Sequence, residues 1–143
     1  TVIIGTRKKD KITGTSDREV IAGQEGKDIL KGNGSADAFL FNDANSFGKK
    51  KADIITNNTP TEGDSLQHVQ QVYIVGSEIK LKLVRGNKKV KKASKSNKDF
   101  VYDERKGLLY FNEDGNDKGW GEGGLFVKLK GAPELGSDDF SIV

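Results

Sequence analysis

Apolar side chains recur at a fixed interval through the first forty residues. Ile3, Ile12, Ile21, Leu30 and Phe39 are spaced by nine. Two residues before the last four stands an acid, Asp10, Glu19, Asp28 or Asp37, and each unit opens on a glycine, Gly5, Gly14, Gly23 or Gly32. Four units matching at three positions make an internal repeat. Nine residues are too few for a helical repeat and suit a tight turn followed by a very short strand. Glycine admits the positive φ such a turn needs. Strands stacked about 4.8 Å apart would align their single apolar residues into a narrow core.

Later segments alternate instead. In residues 69–84, Val72, Ile74, Ile79, Leu81 and Leu83 are interleaved with polar side chains, which predicts a half-buried strand or strand pair bent at Gly76. Residues 99–102 and 108–111 flank Glu104-Arg-Lys-Gly107 and read as a hairpin with glycine in the turn. Residues 125–129 and 140–143 supply two further strands.

Composition sharpens this picture. Only 34% of the 143 residues are apolar while 31% are charged and 18 are glycine, which argues against a helical bundle or a thick core. There is no cysteine, so disulfides, thiolate metal sites and cysteine nucleophiles are excluded together. A thin core without such staples points to a bound metal as the compensating element. No stretch approaches the roughly 20 apolar residues that cross a membrane, so no transmembrane segment is expected. The net charge of +3 conceals an asymmetry: residues 79–98 carry nine basic and no acidic side chains, and residues 99–143 carry five basic and ten acidic ones.

The repeat acids sit on turns that would stack, where like charges repel. A hard cation relieves that repulsion with carboxylate and turn-carbonyl ligands at about 2.3–2.6 Å. The alternative is a metal-free roll that keeps only the packing pattern. Gly23-Gln-Glu-Gly26-Lys-Asp28-Ile-Leu30-Lys31 resembles the RTX, or hemolysin-type, calcium repeat G-G-x-G-x-D-x-(apolar)-x. The second consensus glycine is replaced by Thr6, Thr15, Gln24 and Asn33, and the third survives only as Gly26. Lys8, Lys9, Arg18 and Lys27 also lie on the turns, where they oppose another cation.

The likeness continues downstream. Ala52-Asp53-Ile-Ile-Thr-Asn57 and Glu62-Gly-Asp64-Ser-Leu66 are similar to the stretch that follows the family's roll. Phe100-Val-Tyr-Asp103, Gly107-Leu-Leu-Tyr-Phe111, Leu129-Lys-Gly131-Ala-Pro133 and Asp139-Phe-Ser-Ile-Val143 are similar to its C-terminal region. The resemblance implies an all-β fold: a short parallel β-roll of about two coils, followed by a small antiparallel sheet packed on it. It implies one domain made of a roll (1–40), a capping segment (41–78), the lysine-rich segment (79–98) and terminal hairpins (99–143). It also implies calcium shared by Asp10 with Asp28 and by Glu19 with Asp37, with Gly23 and Gly26 shaping the turn and Asp53 lending a capping oxygen. Finally, it implies secretion through a type I machinery that reads an uncleaved C-terminal signal. A plain edge strand is the other reading of that end.

Three other features carry candidate chemistry. The lysine-rich segment, with Lys80, Lys82, Lys88, Lys89, Lys91 and Lys92, reads first as a solvated loop, then as an intramolecular partner for the acidic end, or as a dock for acidic polysaccharide or another polyanion. No aromatic residue interleaves it, which argues against specific nucleic-acid binding. The loop 112–117 departs from the EF-hand template at Asp117 and Gly123, and a solvated Asx turn is expected there. Trp120, in a glycine loop, reads as a core plug or a sugar-stacking ring. With His68 the sole histidine, no nucleophile–histidine–acid set with a second base can be assembled, and the chain is expected not to be an enzyme. The expected role is a secreted calcium-binding module of a larger protein, the alternative an extracellular polyanion-binding module.

Overall fold

A computed structural model describes residues 1–43, 47–57, 59, 62–68, 78–113 and 119–143. Among the described residues the structure is all-β apart from one short α-helix and a 3-10 turn at Ser137–Asp139. One short strand recurs every nine residues: β1 (Val2–Ile4) ahead of the first glycine, then β2 (Lys11–Thr13), β3 (Val20–Ala22), β4 (Ile29–Lys31) and β5 (Ala38–Phe41) from the four units. The chain then adds β6 (Asp53–Ile55) and β7 (Ser65–His68). Odd and even strands alternate between two sheets, so every strand pairs in parallel with the next but one. This is a parallel β-roll, and it runs further than the four repeats. Asp53-Ile-Ile55 and Asp64-Ser-Leu66 restate the acid-x-apolar pattern after longer loops, and the strands keep register with the coil before.

The register explains the nine-residue period. In one sheet Ile3, Ile21, Phe39, Leu66 and Phe140 are successive partners, and in the other Ile12, Leu30, Ile55 and Leu129. Ile21, Leu30, Phe39, Ile55 and Leu66 are almost wholly buried in one cluster, and Ile3 and Ile12 pack on its edge. One inward residue per strand is enough because two columns face each other.

The C-terminal half closes the roll. Strands β8 (Leu81–Val84), β9 (Phe100–Asp103), β10 (Leu108–Phe111) and β11 (Gly124–Leu129) extend the even sheet, with β11 parallel to β6. The expected hairpin is β9–β10, and Gly107 turns it at φ 71°. The antiparallel strands thus join the roll edge-on. β12 (Phe140–Ile142) completes the odd sheet beside β7. Val72 and Ile74 lie outside the described residues.

The lysine-rich segment is not a loop. Its first part is β8, and α1 (Asn87–Ala93) crosses from β8 to the parallel β9. Val90 and Ala93, three apart on one helical face, pack on Val84 and Val101. Apolar surface under the helix therefore decides its structure, although nine of the twenty side chains in 79–98 are cationic.

Phe39→Ala, which empties the middle of one column, is expected to cost about 3–5 kcal/mol in chemical denaturation. Val2→Ser, at a position 61% exposed, is expected to change stability by less than about 0.5 kcal/mol.

Candidate metal centre

Turns stack in two columns, one on each side of the roll, and each column ends in a ladder of acids. On the first side are Asp10, Asp28 and Asp53; on the second are Glu19, Asp37 and Asp64. Asp28 Oδ1 accepts the N–H of Asp10 at 2.8 Å, and Asp53 Oδ1 that of Asp28 at 2.8 Å. Asp37 Oδ1 accepts the N–H of Glu19 at 3.0 Å, and Asp64 Oδ1 that of Asp37 at 2.9 Å. The expected pairs, Asp10 with Asp28 and Glu19 with Asp37, are brought together. They meet through a backbone N–H bond, with like-charge repulsion between the carboxylates remaining.

The ladder explains the repeat glycine. A Cβ at Gly5 would stand 2.5 Å from Gly23 O and 2.7 Å from Asp10 Oδ2, and one at Gly14 2.6 Å from Gly32 O. Carbonyl and carboxylate fill the space a side chain needs. The acid must be buried for this geometry, and Asp28, Asp37, Asp53 and Asp64 are nearly inaccessible.

The second carboxylate oxygen distinguishes the units. In the first two, threonine holds it: Asp10 accepts from Thr6 N at 2.6 Å and from the Thr6 hydroxyl, and Glu19 accepts from the N–H and hydroxyl of Thr15. In the next two the residue at the threonine position is left-handed, Gln24 at φ 72° and Asn33 at φ 75°, followed by Gly26 at 100° and Ser35 at 68°. Among the described residues, Asp28 Oδ2 and Asp37 Oδ2 are then buried without a hydrogen-bond partner. An unsatisfied buried carboxylate oxygen is expensive.

The two sides also differ in their turn carbonyls. On the second side Asn33 Nδ2 donates to Gly14 O at 2.7 Å, Ser35 Oγ to Ser16 O at 2.8 Å, and Asn57 Nδ2 to Asn33 O at 3.1 Å. Side chains there stitch coil to coil. On the first side Arg7 and Glu25 form an exposed ion pair at 3.8 Å. The Lys27 ammonium, a cation expected to oppose a metal, is turned to Lys49 O at 2.8 Å.

Electrostatics follow burial. Loss of water pushes the Asp28 carboxyl up to about 6, the Asp10 N–H pulls it back, and the Asp10 charge adds to the rise. Asp53 is pushed up to about 7, first by burial and also by the Asp28 charge. Asp37 is raised by burial, whereas the Thr15 hydroxyl and N–H hold Glu19 below its ordinary value.

Among the described residues no three His, Cys, Asp or Glu side chains converge as metal ligands. A cation on the first side would therefore draw on Asp28 Oδ2 and backbone carbonyls such as Gly23 O, a donor set that suits a hard ion. Asp64, in the second ladder, escaped the choice of site residues; its signal was the acid two before Leu66. Of the six lysines, Lys82, Lys89 and Lys92 share one groove, while Lys88 and Lys91 lie on α1 and Lys80 before β8. Residues 114–117 lie outside the described residues. Comparison with protein-family models, curated proteins and solved structures returned no match, so the RTX likeness rests on the residues themselves.

Asp28 and Asp53 bind protons more tightly folded than unfolded. The stability they contribute is whole below about pH 4 and is lost as pH climbs through about 6 to 7. His68 works the other way, since burial pulls its pKa down to about 3 and stability falls below its ordinary 6.5. Asp53→Asn keeps an oxygen for the Asp28 N–H and leaves His68 unchanged. In chelator it is expected to be more stable than the parent at pH 8, with the gap closing towards pH 4. A gap independent of pH in denaturant titrations contradicts this.

Proposed function

We propose that this chain is a calcium-responsive β-roll module of a larger secreted protein, in the manner of RTX C-terminal regions, and not an enzyme. The observation that carries the reading is the buried, unpartnered Asp28 Oδ2 above a turn whose Gln24 and Gly26 are left-handed. Calcium between the turns Gly5–Asp10 and Gly23–Asp28 would satisfy that oxygen and favour the ionised acid. The second side is the weaker site, because Asn33, Ser35 and Asn57 already occupy its carbonyls.

Such coupling fits export. β12 is a strand of the odd sheet, and the Val143 N–H donates to His68 O at 2.9 Å. A machinery that reads the C-terminal tail as a linear signal needs it unfolded, which low cytosolic calcium would favour. Catalysis is no part of this reading: His68 is packed among Phe41, Phe100, Phe126 and Phe140 and stays neutral near pH 7.

Binding at a hundredfold excess over Kd adds about 2.7 kcal/mol per site. Thermal melts by circular dichroism are expected to rise with calcium over chelator in the parent and in Asp37→Asn, and not in Asp28→Asn. Identical parent melts reject the reading.

A specific surface favours a second reading, polyanion docking. Lys82 from β8, Lys89 and Lys92 from α1, and Lys95 and Lys98 beyond it line a groove of about 610 Å³ floored by Val84 and Ala93. Among the described residues none of these ammonium groups forms an ion pair. Clustered cations without counter-charge attract anionic chains and lose them to salt. The triple change Lys89→Gln, Lys92→Gln and Lys95→Gln is expected to elute from heparin at clearly lower salt than the parent; equal elution contradicts this reading.

A further inference from the structure

The opposite flank of α1 carries a different surface. Asn87, Val90 and Lys91 of the helix face Tyr110 on β10, and Lys49, Lys106 and Trp120 complete a groove of about 440 Å³. Trp120 lies flat on Tyr110, with ring centroids 4.9 Å apart and planes 9° from parallel. The stack also packs against the small cluster of Val84, Val90, Ala93 and Val101, so its orientation is set from beneath. Lys106 Nζ donates to Asn87 Oδ1 at 3.3 Å, which holds that ammonium at the groove wall. Among the described residues no acidic side chain lines the groove, and Lys49, Lys91 and Lys106 form no ion pair.

We infer that this groove is a binding subsite for an acidic saccharide, specifically a uronate unit of a longer chain. A half-buried aromatic pair offers a rigid flat surface at low entropic cost, and sugar rings present a C–H face that packs on it. Three uncompensated ammonium groups around that surface select a ring that carries a carboxylate, and charge-assisted hydrogen bonds are the stronger kind. Asn87 adds an amide able both to donate and to accept, as sugar hydroxyls require. A nucleic acid fits less well, because its phosphates lie outside the bases while here cations and ring line one small groove. The inference rests neither on calcium nor on the Lys82–Lys98 groove, from which every lining residue differs.

The protein contains a single tryptophan, so its fluorescence reports on this groove alone. Titration of the full chain in calcium with a short galacturonate oligomer is expected to change Trp120 emission saturably. Trp120→Ala, read by calorimetry, and Lys106→Gln, read by either method, are each expected to weaken binding roughly tenfold, the size of one charge-assisted or stacking contact. The methyl-esterified oligomer, with the same rings and no charge, is expected to bind at least about tenfold more weakly, and tripolyphosphate not to compete at equal concentration. Lys106→Gln alters an exposed side chain and keeps the test valid if Trp120→Ala unfolds. No saturable change, equal binding of the ester, equal competition by tripolyphosphate, or unchanged affinity of Lys106→Gln overturns the inference.

Discussion

The structure depends on one repeated contact: a buried carboxylate oxygen that accepts the backbone N–H of the equivalent acid one coil earlier. That contact fixes the stacking of coils, since each acid sits at a strand's start and its partner at the start of the strand beneath. It requires the glycine, whose missing side chain leaves room for carbonyl and carboxylate. It also places the apolar residue two positions on, pointing into the core. Hydrogen bonds to a charged acceptor contribute about 1.5–3 kcal/mol each, but the carboxylate must surrender its water to make one. Whether the ladder is stable thus turns on the second oxygen. Threonine satisfies it in the first coil; in the second it has no partner among the described residues. The chain divides its turns into a self-sufficient kind and a kind with a spare buried carboxylate oxygen.

Much of this was legible from spacing. The nine-residue period placed β1 to β5 and their inward residues, and the RTX likeness implied their next-but-one stacking. Asp10, Glu19, Asp28 and Asp37 stand in the turn columns where the repeat put them. What escaped lay where the period breaks. Asp64 follows a loop of another length, so its equivalence to Asp37 shows only through the acid-x-apolar fragment. The role of Thr6 and Thr15 was hidden as well: they read as lost glycines, whereas their hydroxyl and N–H groups replace what the left-handed turn omits. The helix in residues 79–98 was obscured for another reason. Nine cations dominate its composition, yet Val90 and Ala93 on a shared face settle the conformation once Val84 and Val101 lie beneath them.

The two halves answer to different physics. The roll is narrow and rich in backbone contacts, with carboxylates whose ionisation resists burial. The C-terminal half is held by an aromatic cluster around His68, where Phe41 and Phe140 stack on the imidazole at 5.2 and 5.8 Å. That cluster joins β12 to β7 and to β9, so the last strand packs directly on the roll's final coil. A cation that stabilises the second coil would thereby be felt at the far end of the molecule. The lysine-bearing helix lies apart from this cluster, packed on Val84 and Val101 of the even sheet.

Anomalous diffraction from crystals grown in calcium bears most directly on the ladder's spare oxygen. A peak between the turns Gly5–Asp10 and Gly23–Asp28, about 2.3–2.6 Å from Asp28 Oδ2 as calcium ligation requires, is the expected result. Density there that shows no anomalous signal, with Asp28 Oδ2 bonded to a water or a protein donor, would contradict the account.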